Sequence, residues 1–228
     1  MEVVFPALGN TLILTASAFV LSTIIAIFLG TMAALKRGTW IERSINLFAF
    51  AGISVPGFWL GLLLIYIFAV KLGVLPAGGM PSPDGPYSAM AYFILPLVTL
   101  VIVEIGGPTR YARSAMLEVL HQDFIRTARA KGLSESRVLY RHALPNALNP
   151  VVTAVSGWFA SLLAGAVFVE FVFGWKGIGQ ELFMAIEKQD QPIVMGGVIL
   201  VSTVFIVVNV LVEWVYGILD PRIRTSSN

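Results

Sequence analysis

Residues 3–35 carry no charged side chain, and neither do residues 44–70. Uncharged runs of this length constrain the fold more than any motif. A helix needs about 20 mostly apolar residues to cross a hydrocarbon layer of roughly 30 Å. Within that layer no water is present to bond a free amide or carbonyl, so the backbone must satisfy itself. Three further stretches meet the same condition. Residues 87–109 contain Glu104 as their one charge, residues 142–169 contain no Asp, Glu, Lys or Arg, and residues 191–219 contain only Glu213. Over its 228 residues the chain is 57% hydrophobic and 12% charged, against about 25% charged in an ordinary soluble domain. The expectation is a single all-α integral membrane domain over residues 1–228, with five transmembrane helices near 8–35, 46–70, 89–113, 147–171 and 193–218.

Orientation follows from the cations, because short cytoplasmic loops retain Lys and Arg. Twelve of the fifteen basic residues follow the first, third and fifth spans; only Lys71, Lys176 and Lys188 fall on the other side. The amino terminus is thus expected outside and the carboxyl terminus in the cytoplasm of a plasma (inner) membrane. A net charge of +2 without a concentrated base-reading face argues against nucleic acid as a partner. There is no cysteine, and the two histidines, His121 and His142, lie far apart in sequence. No metal site made by this chain alone is expected. Ser156 and Ser161 have no histidine at membrane depth to act as base, so no catalytic residue is expected either.

Two connections face outward in this scheme. Residues 71–88 are rich in Gly and Pro and read as an irregular loop. Residues 173–192 hold Gly174, Gly177 and Gly179 ahead of a stretch in which Ile178, Leu182, Phe183 and Ile186 fall at helical spacing. That pattern predicts a short amphipathic helix, with Gly177, Ile178 and Gly179 as candidates for an external gate or the contact of an external partner. Glu104 sits well inside the third span and is a candidate for lining a solute pathway, because a charge in lipid costs about 2.5 kcal/mol or more. The competing expectation is a neutral or internally bonded Glu104 beside the break at Gly106, Gly107 and Pro108. Glu170 and Glu213 lie near span ends and are expected to reach the interfaces. Gly157, Ser161 and Gly165 form a small-residue stripe suited to close helix packing.

Between the third and fourth spans lies a basic island, with a loop expected near 120–145. Asp123 is a candidate N-cap, Phe124 to Lys131 favour helix, Gly132 can close it, and Ser134 can cap a second segment running to Pro145. The small residues Thr127, Ala128 and Ala130 would let another protein approach the helix closely. Arg126, Arg129 and Lys131 would steer it. An amphipathic helix resting on anionic headgroups is the competing reading.

The stretch RTARAKGLSESRVLYRHALPNAL resembles the cytoplasmic loop signature of ATP-binding-cassette (ABC) importer permeases: Glu-Ala-Ala, three residues, Gly, nine residues, Ile, any residue, Leu, Pro. Ala128, Gly132, Leu144 and Pro145 match at the preserved spacing, while Arg126, Thr127 and His142 depart from it. The departures are similar to the dipeptide, oligopeptide and nickel branch, whose loops read Arg-Thr-Ala-Arg-Ala-Lys-Gly-Leu. Segments such as GISVPGFWLGLLLIYIFAVKLGVLPAGG, GWKGIGQELFMAI and the terminal LDPRIR extend the likeness across nearly the whole chain. Members of that branch carry one more spanning helix and an external segment before the span that opens this chain, which implies a shortened chain, a late start site or a reduced variant.

The resemblance implies a type I ABC importer fold and a permease half-pathway for peptides or a related small solute, such as a nickel chelate or a glutathione-like compound. It implies a second, non-identical permease, two cytoplasmic ATPases and an extracytoplasmic solute-binding protein. Arg126 to Leu133, with Leu144 and Pro145, would dock and couple to an ATPase. ATP and Mg would be held by those partners, with no cofactor in this chain. The rival expectation is a self-sufficient secondary transporter or channel using Glu104.

Overall fold

The computed structural model describes residues 4–82 and 85–219, with side chains up to 210 except at 4, 152–153, 155–156, 160 and 208–209. The side chains of Ser156 and Glu213 and most of the terminal LDPRIR segment therefore lie outside the described residues. The described residues are helical apart from turns and loops, and they divide into two compact units. The first gathers 4–21, 55–82, 85–103 and Phe159–Val210; the described part of the second is Ser22–Ser54, Glu104–Trp158 and 211–219.

Helix α1 spans Val4–Leu35, and its burial pattern is the reverse of a water-soluble helix. Ala7, Thr11, Leu14, Ala18, Ser22, Ala26 and Ala33 recur every three or four residues (with one longer step) and are all buried. Phe5, Ile13, Val20, Ile24 and Phe28 point outward, each more than half exposed. Lipid tails are as apolar as Leu, so helices in a bilayer meet through small residues that bring backbones close, and large side chains face the tails. By length and composition α1 is long and apolar enough to cross a membrane. Up to four spans result if each bent helix pair counts as one.

The bends have local causes. The expected span 46–70 is two helices, α2 (Trp40–Ser54) and α3 (Gly57–Leu64), with a π-helical turn at Ile65–Lys71. Pro56 donates no amide hydrogen and disfavours helical geometry at Val55, so the helix stops there. The expected span 89–113 is likewise two helices, α4 (Ala89–Glu104) and α5 (Gly106–Leu120), parted at Ile105. Pro108 falls in the first turn of α5, where a missing amide hydrogen costs no intrahelical bond.

Helices α6 (Asp123–Ala130) and α7 (Glu135–Arg137) follow, the latter running through a π-helical turn at Val138–Ala143 into α8 (Leu144–Phe173). Pro145 explains that turn: it cannot bond the Arg141 carbonyl, and its ring would collide with it. A wider winding relieves the clash, and the Leu144 amide bonds back five residues to Leu139. The chain closes with α9 (Ile178–Glu187) and α10 (Gln191–Leu219), the latter overlying the expected span 193–218.

In the second unit, close helix crossings rest on two glycines. A Cβ on Gly30 would lie 2.7 Å from the Ala112 Cβ and the Thr109 carbonyl oxygen, so α1 touches α5 there. A Cβ on Gly106 would overlap the Ala49 carbonyl oxygen, which brings α2 against α5. About two turns towards the start of α2, the Arg113 Nε donates to one Glu42 carboxylate oxygen at 2.9 Å, and a second guanidinium nitrogen donates to the same oxygen, completing an ion pair. Glu42 also accepts the Gly38 amide at 2.6 Å, tying the α1–α2 turn to the same pair.

Candidate functional site

The island between the third and fourth spans folds as a built module of the second unit. In α6, Ile125 is fully buried and Ala128 nearly so, against Met116 and Val119 of α5 and Val138, Ala143 and Ala147 beyond the corner. The other six residues of the helix are exposed. Its end satisfies both bonds of a Schellman closure: the Gly132 amide reaches the Arg129 carbonyl at 2.9 Å, and the Leu133 amide reaches Ala128 at 3.4 Å. Gly132 has φ +78°, the left-handed geometry such a closure requires. The spacing from Ala128 to Gly132 is thus the spacing from the inward-facing residue of the last turn to the residue that reverses the chain. Leu133, just past the corner, packs on the same core with Leu144.

Two expectations about this module change. Asp123 is the first helical residue rather than the cap; Gln122 occupies the cap position, and no side chain bonds the first turn from there. The Asp123 side chain instead meets Arg126 at 3.3 Å, both exposed. Ser134 does begin α7, but without a side-chain capping bond. Ala128 is small because it packs inward, so Thr127 and Ala130 alone keep small exposed sites on the helix. Arg129 forks onto Glu135 at 2.8 and 3.2 Å, bridging the corner. Arg126, Lys131 and Pro145 are exposed, and Leu144 is half-buried.

At the outer turn, in the first unit, the structure overturns the expectation for Glu170. Its side chain is fully buried rather than at an interface. The Thr11 hydroxyl donates to one carboxylate oxygen at 2.6 Å, and the Gly179 amide donates to the other at 2.7 Å. The Gln180 amide also donates to the carboxylate. Thr11 in turn accepts the Ile178 amide at 2.9 Å. Gly177, the cap residue of α9, has no side chain to offer. The first three free amides of α9 are therefore satisfied by Thr11 of α1 and Glu170 of α8, placing a carboxylate at the positive end of the helix dipole.

This arrangement explains the expected glycine pattern. A Cβ on Gly177 would overlap the Glu170 carboxylate, and one on Gly179 would sit 2.5 Å from the Val167 Cα and 2.9 Å from the carboxylate. Asn10 extends the grip: its side-chain amide donates to the Lys176 carbonyl at 2.7 Å, and its backbone carbonyl accepts the Trp175 indole at 3.1 Å. The Gly79 amide meets the Phe173 carbonyl at 2.6 Å, so the irregular loop closes the end of α8.

The amphipathic helix is present as α9, but its inner face differs from the expected set. Ile178 and Ala185 are buried, and Leu182 packs where a Cβ on Gly197 of α10 would stand. These positions are four and three residues apart, one helical face. Phe183 and Ile186 lie off that face and are exposed, with the Phe183 ring 3.8 Å from that of Phe171.

Glu104 is the last residue of α4 and is half-buried; no hydrogen bond or ion pair reaches it among the described residues. The structure does not bring it together with the α6 module residues or with Gly177, Ile178 and Gly179 in any described bond. Gly157 and Gly165 of the small-residue stripe have open space around them. Sequence reasoning missed Thr11 and Glu170. The available signal was a carboxylate at a span end followed by two glycines at the start of a helix. Thr11 gave none, because its contact lies 159 residues away.

A fold of helices with this loop module is that of the membrane subunits of ABC importers. A chain of the MetNI methionine ABC transporter in an inward-facing conformation matches with a TM-score of 0.79 at 17% identity, covering 96% of this chain and 97% of that one. A chain of an amino acid ABC transporter with histidines matches with a TM-score of 0.66 at 16% identity, covering 97% and 94%. The chain belongs to the family of binding-protein-dependent transport system inner membrane components, which matches residues 26–225. It is 41% identical to the di/tripeptide transport system permease protein DppB of Pseudomonas aeruginosa, covering 96% of this chain and 71% of that protein. It is 39% identical to the dipeptide transport system permease protein DppB of Escherichia coli, covering 96% and 72%.

Proposed function

We infer that this chain is the permease subunit of an ATP-driven importer whose solute is a di- or tripeptide, forming half of the pathway beside a second, non-identical permease. The di/tripeptide and dipeptide transport for which those two relatives are named supports the solute class; nickel chelates and glutathione-like compounds are the runners-up. Two cytoplasmic ATPases and an extracytoplasmic binding protein complete the assembly, with ATP and Mg held on the ATPases. The observation that carries the reading is α6: a short helix seated through Ile125 and Ala128 on the ends of the spans, its remaining residues free to meet a partner.

In this reading Arg126, Thr127, Arg129, Ala130, Lys131 and Gly132 face the ATPase cleft, and Ala128, Leu133, Leu144 and Pro145 transmit its movement into α5 and α8. Closure of the ATPases on ATP displaces α6 as a rigid body and tilts the attached helices. The amino terminus lies outside and the carboxyl terminus inside, following the Lys and Arg distribution. Glu104, without a partner within the described chain, is the candidate pathway residue; Gly177, Ile178 and Gly179 are buried, so a binding protein would engage the exposed side of α9 that they anchor.

The test is gentle-detergent purification of the tagged chain from its native membrane, with mass spectrometry of what accompanies it, then reconstitution. Two ATPase subunits, a second permease and dipeptide uptake that needs both ATP and the binding protein are expected. Uptake by the chain alone, abolished by Glu104→Gln, would establish the secondary-transporter alternative instead.

A further inference from the structure

Resting on the importer reading, we propose that Glu170 and Thr11 act as a transmission clamp: they fix the first turn of α9 to α1 and α8, so that a load applied to α9 by the external binding protein moves all three helices together. A carboxylate removed from water is destabilising unless donors surround it. Glu170 is surrounded by a hydroxyl and two amides, with no cation in contact among the described residues. Its charge is balanced by the end of the very helix it holds, so moving α9 away would strand both the carboxylate and the amides. Such a joint resists partial displacement, because each broken bond leaves a buried group unpaired.

The partner-facing side of α9 supports the direction of transmission. Phe183, Met184 and Ile186 are exposed, and Glu187 and Lys188 flank them. Ile178 and Ala185 are buried on the side that meets the rest of the unit. The amphipathic helix thus presents one face outward and is bonded at its start to both long helices. The Asn10 contacts to Trp175 and Lys176 add a second attachment between α1 and the same turn.

The test uses the complete complex in nanodiscs, comparing ATP hydrolysis with and without loaded binding protein. Glu170→Ala removes the acceptor, and Thr11→Val removes the hydroxyl that serves both carboxylate and helix. Each is expected to lower binding-protein-stimulated hydrolysis by about tenfold, as loss of a charge-assisted bond implies, while basal hydrolysis and subunit stoichiometry stay at wild-type values. Thr11→Ser, which keeps the hydroxyl, and Glu170→Gln, which keeps an acceptor, should restore most of the stimulation. Hydrogen exchange at the Gly179 and Gln180 amides should quicken in Glu170→Ala. Full stimulation in both Glu170→Ala and Thr11→Val overturns the proposal. So does a parallel fall of basal hydrolysis or assembly, because the pair would then serve folding alone. A wild-type complex that the binding protein does not stimulate defeats the importer reading itself.

Discussion

Glycines that look alike in the sequence have different reasons to be glycine, and substitution separates them. Gly132 has open space around it but φ +78°. Gly132→Val is therefore expected to cost about 1–2 kcal/mol through backbone conformation, loosening the α6 corner and weakening ATPase docking. Membrane insertion should be unchanged. Co-purification of the ATPases with the variant, scored against a membrane-insertion assay, checks this. Gly106 and Gly107 are neighbours with opposite surroundings. Gly106→Ala forces α5 away from the Ala49 carbonyl and should lower thermal stability sharply, whereas Gly107→Ala meets nothing within 4 Å. The second change should be neutral or gain up to about 1 kcal/mol in helix propensity. Thermal unfolding of the two purified variants decides it.

Helix α6 is eight residues long, too short to be stable without tertiary contacts. Its persistence depends on Ile125 and Ala128 in the shared core. Ile125→Ala should cost about 2–5 kcal/mol as a cavity-forming change, and hydrogen exchange should show α6 opening before α5. The exposed ion pairs Asp123–Arg126 and Arg129–Glu135 matter less, since exposed pairs contribute about 0–1 kcal/mol. Helix α1 makes a complementary prediction. Ala26 is buried in the small-residue seam, so Ala26→Leu should cost about 1–3 kcal/mol through overpacking. Ile24 is 60% exposed, so Ile24→Leu should leave stability unchanged. Unfolding of both variants in detergent compares seam with lipid face.

For the whole molecule, the chain's class was legible because hydrocarbon imposes a composition rule that acts on every residue of a span. Length, charge-free runs and cation asymmetry therefore read directly as an all-helical membrane protein. The loop signature was legible because a Schellman closure is local: the fixed spacing from Ala128 to Gly132 follows from one turn of helix geometry. The break in the second span was less legible, although Pro56 was its local cause, because composition alone does not say whether a proline kinks a helix or ends it. Nor was the inward turn of Ala128, whose small size served equally well for an approaching partner. What only the tertiary structure decided was the use of the carboxylate at position 170. A glutamate at a span end is ordinarily free to reach water. Here Thr11, brought beside it from 159 residues away, and the start of α9 supply donors that make burial the more stable state, and the distance in sequence between those groups is the reason no local pattern could announce them.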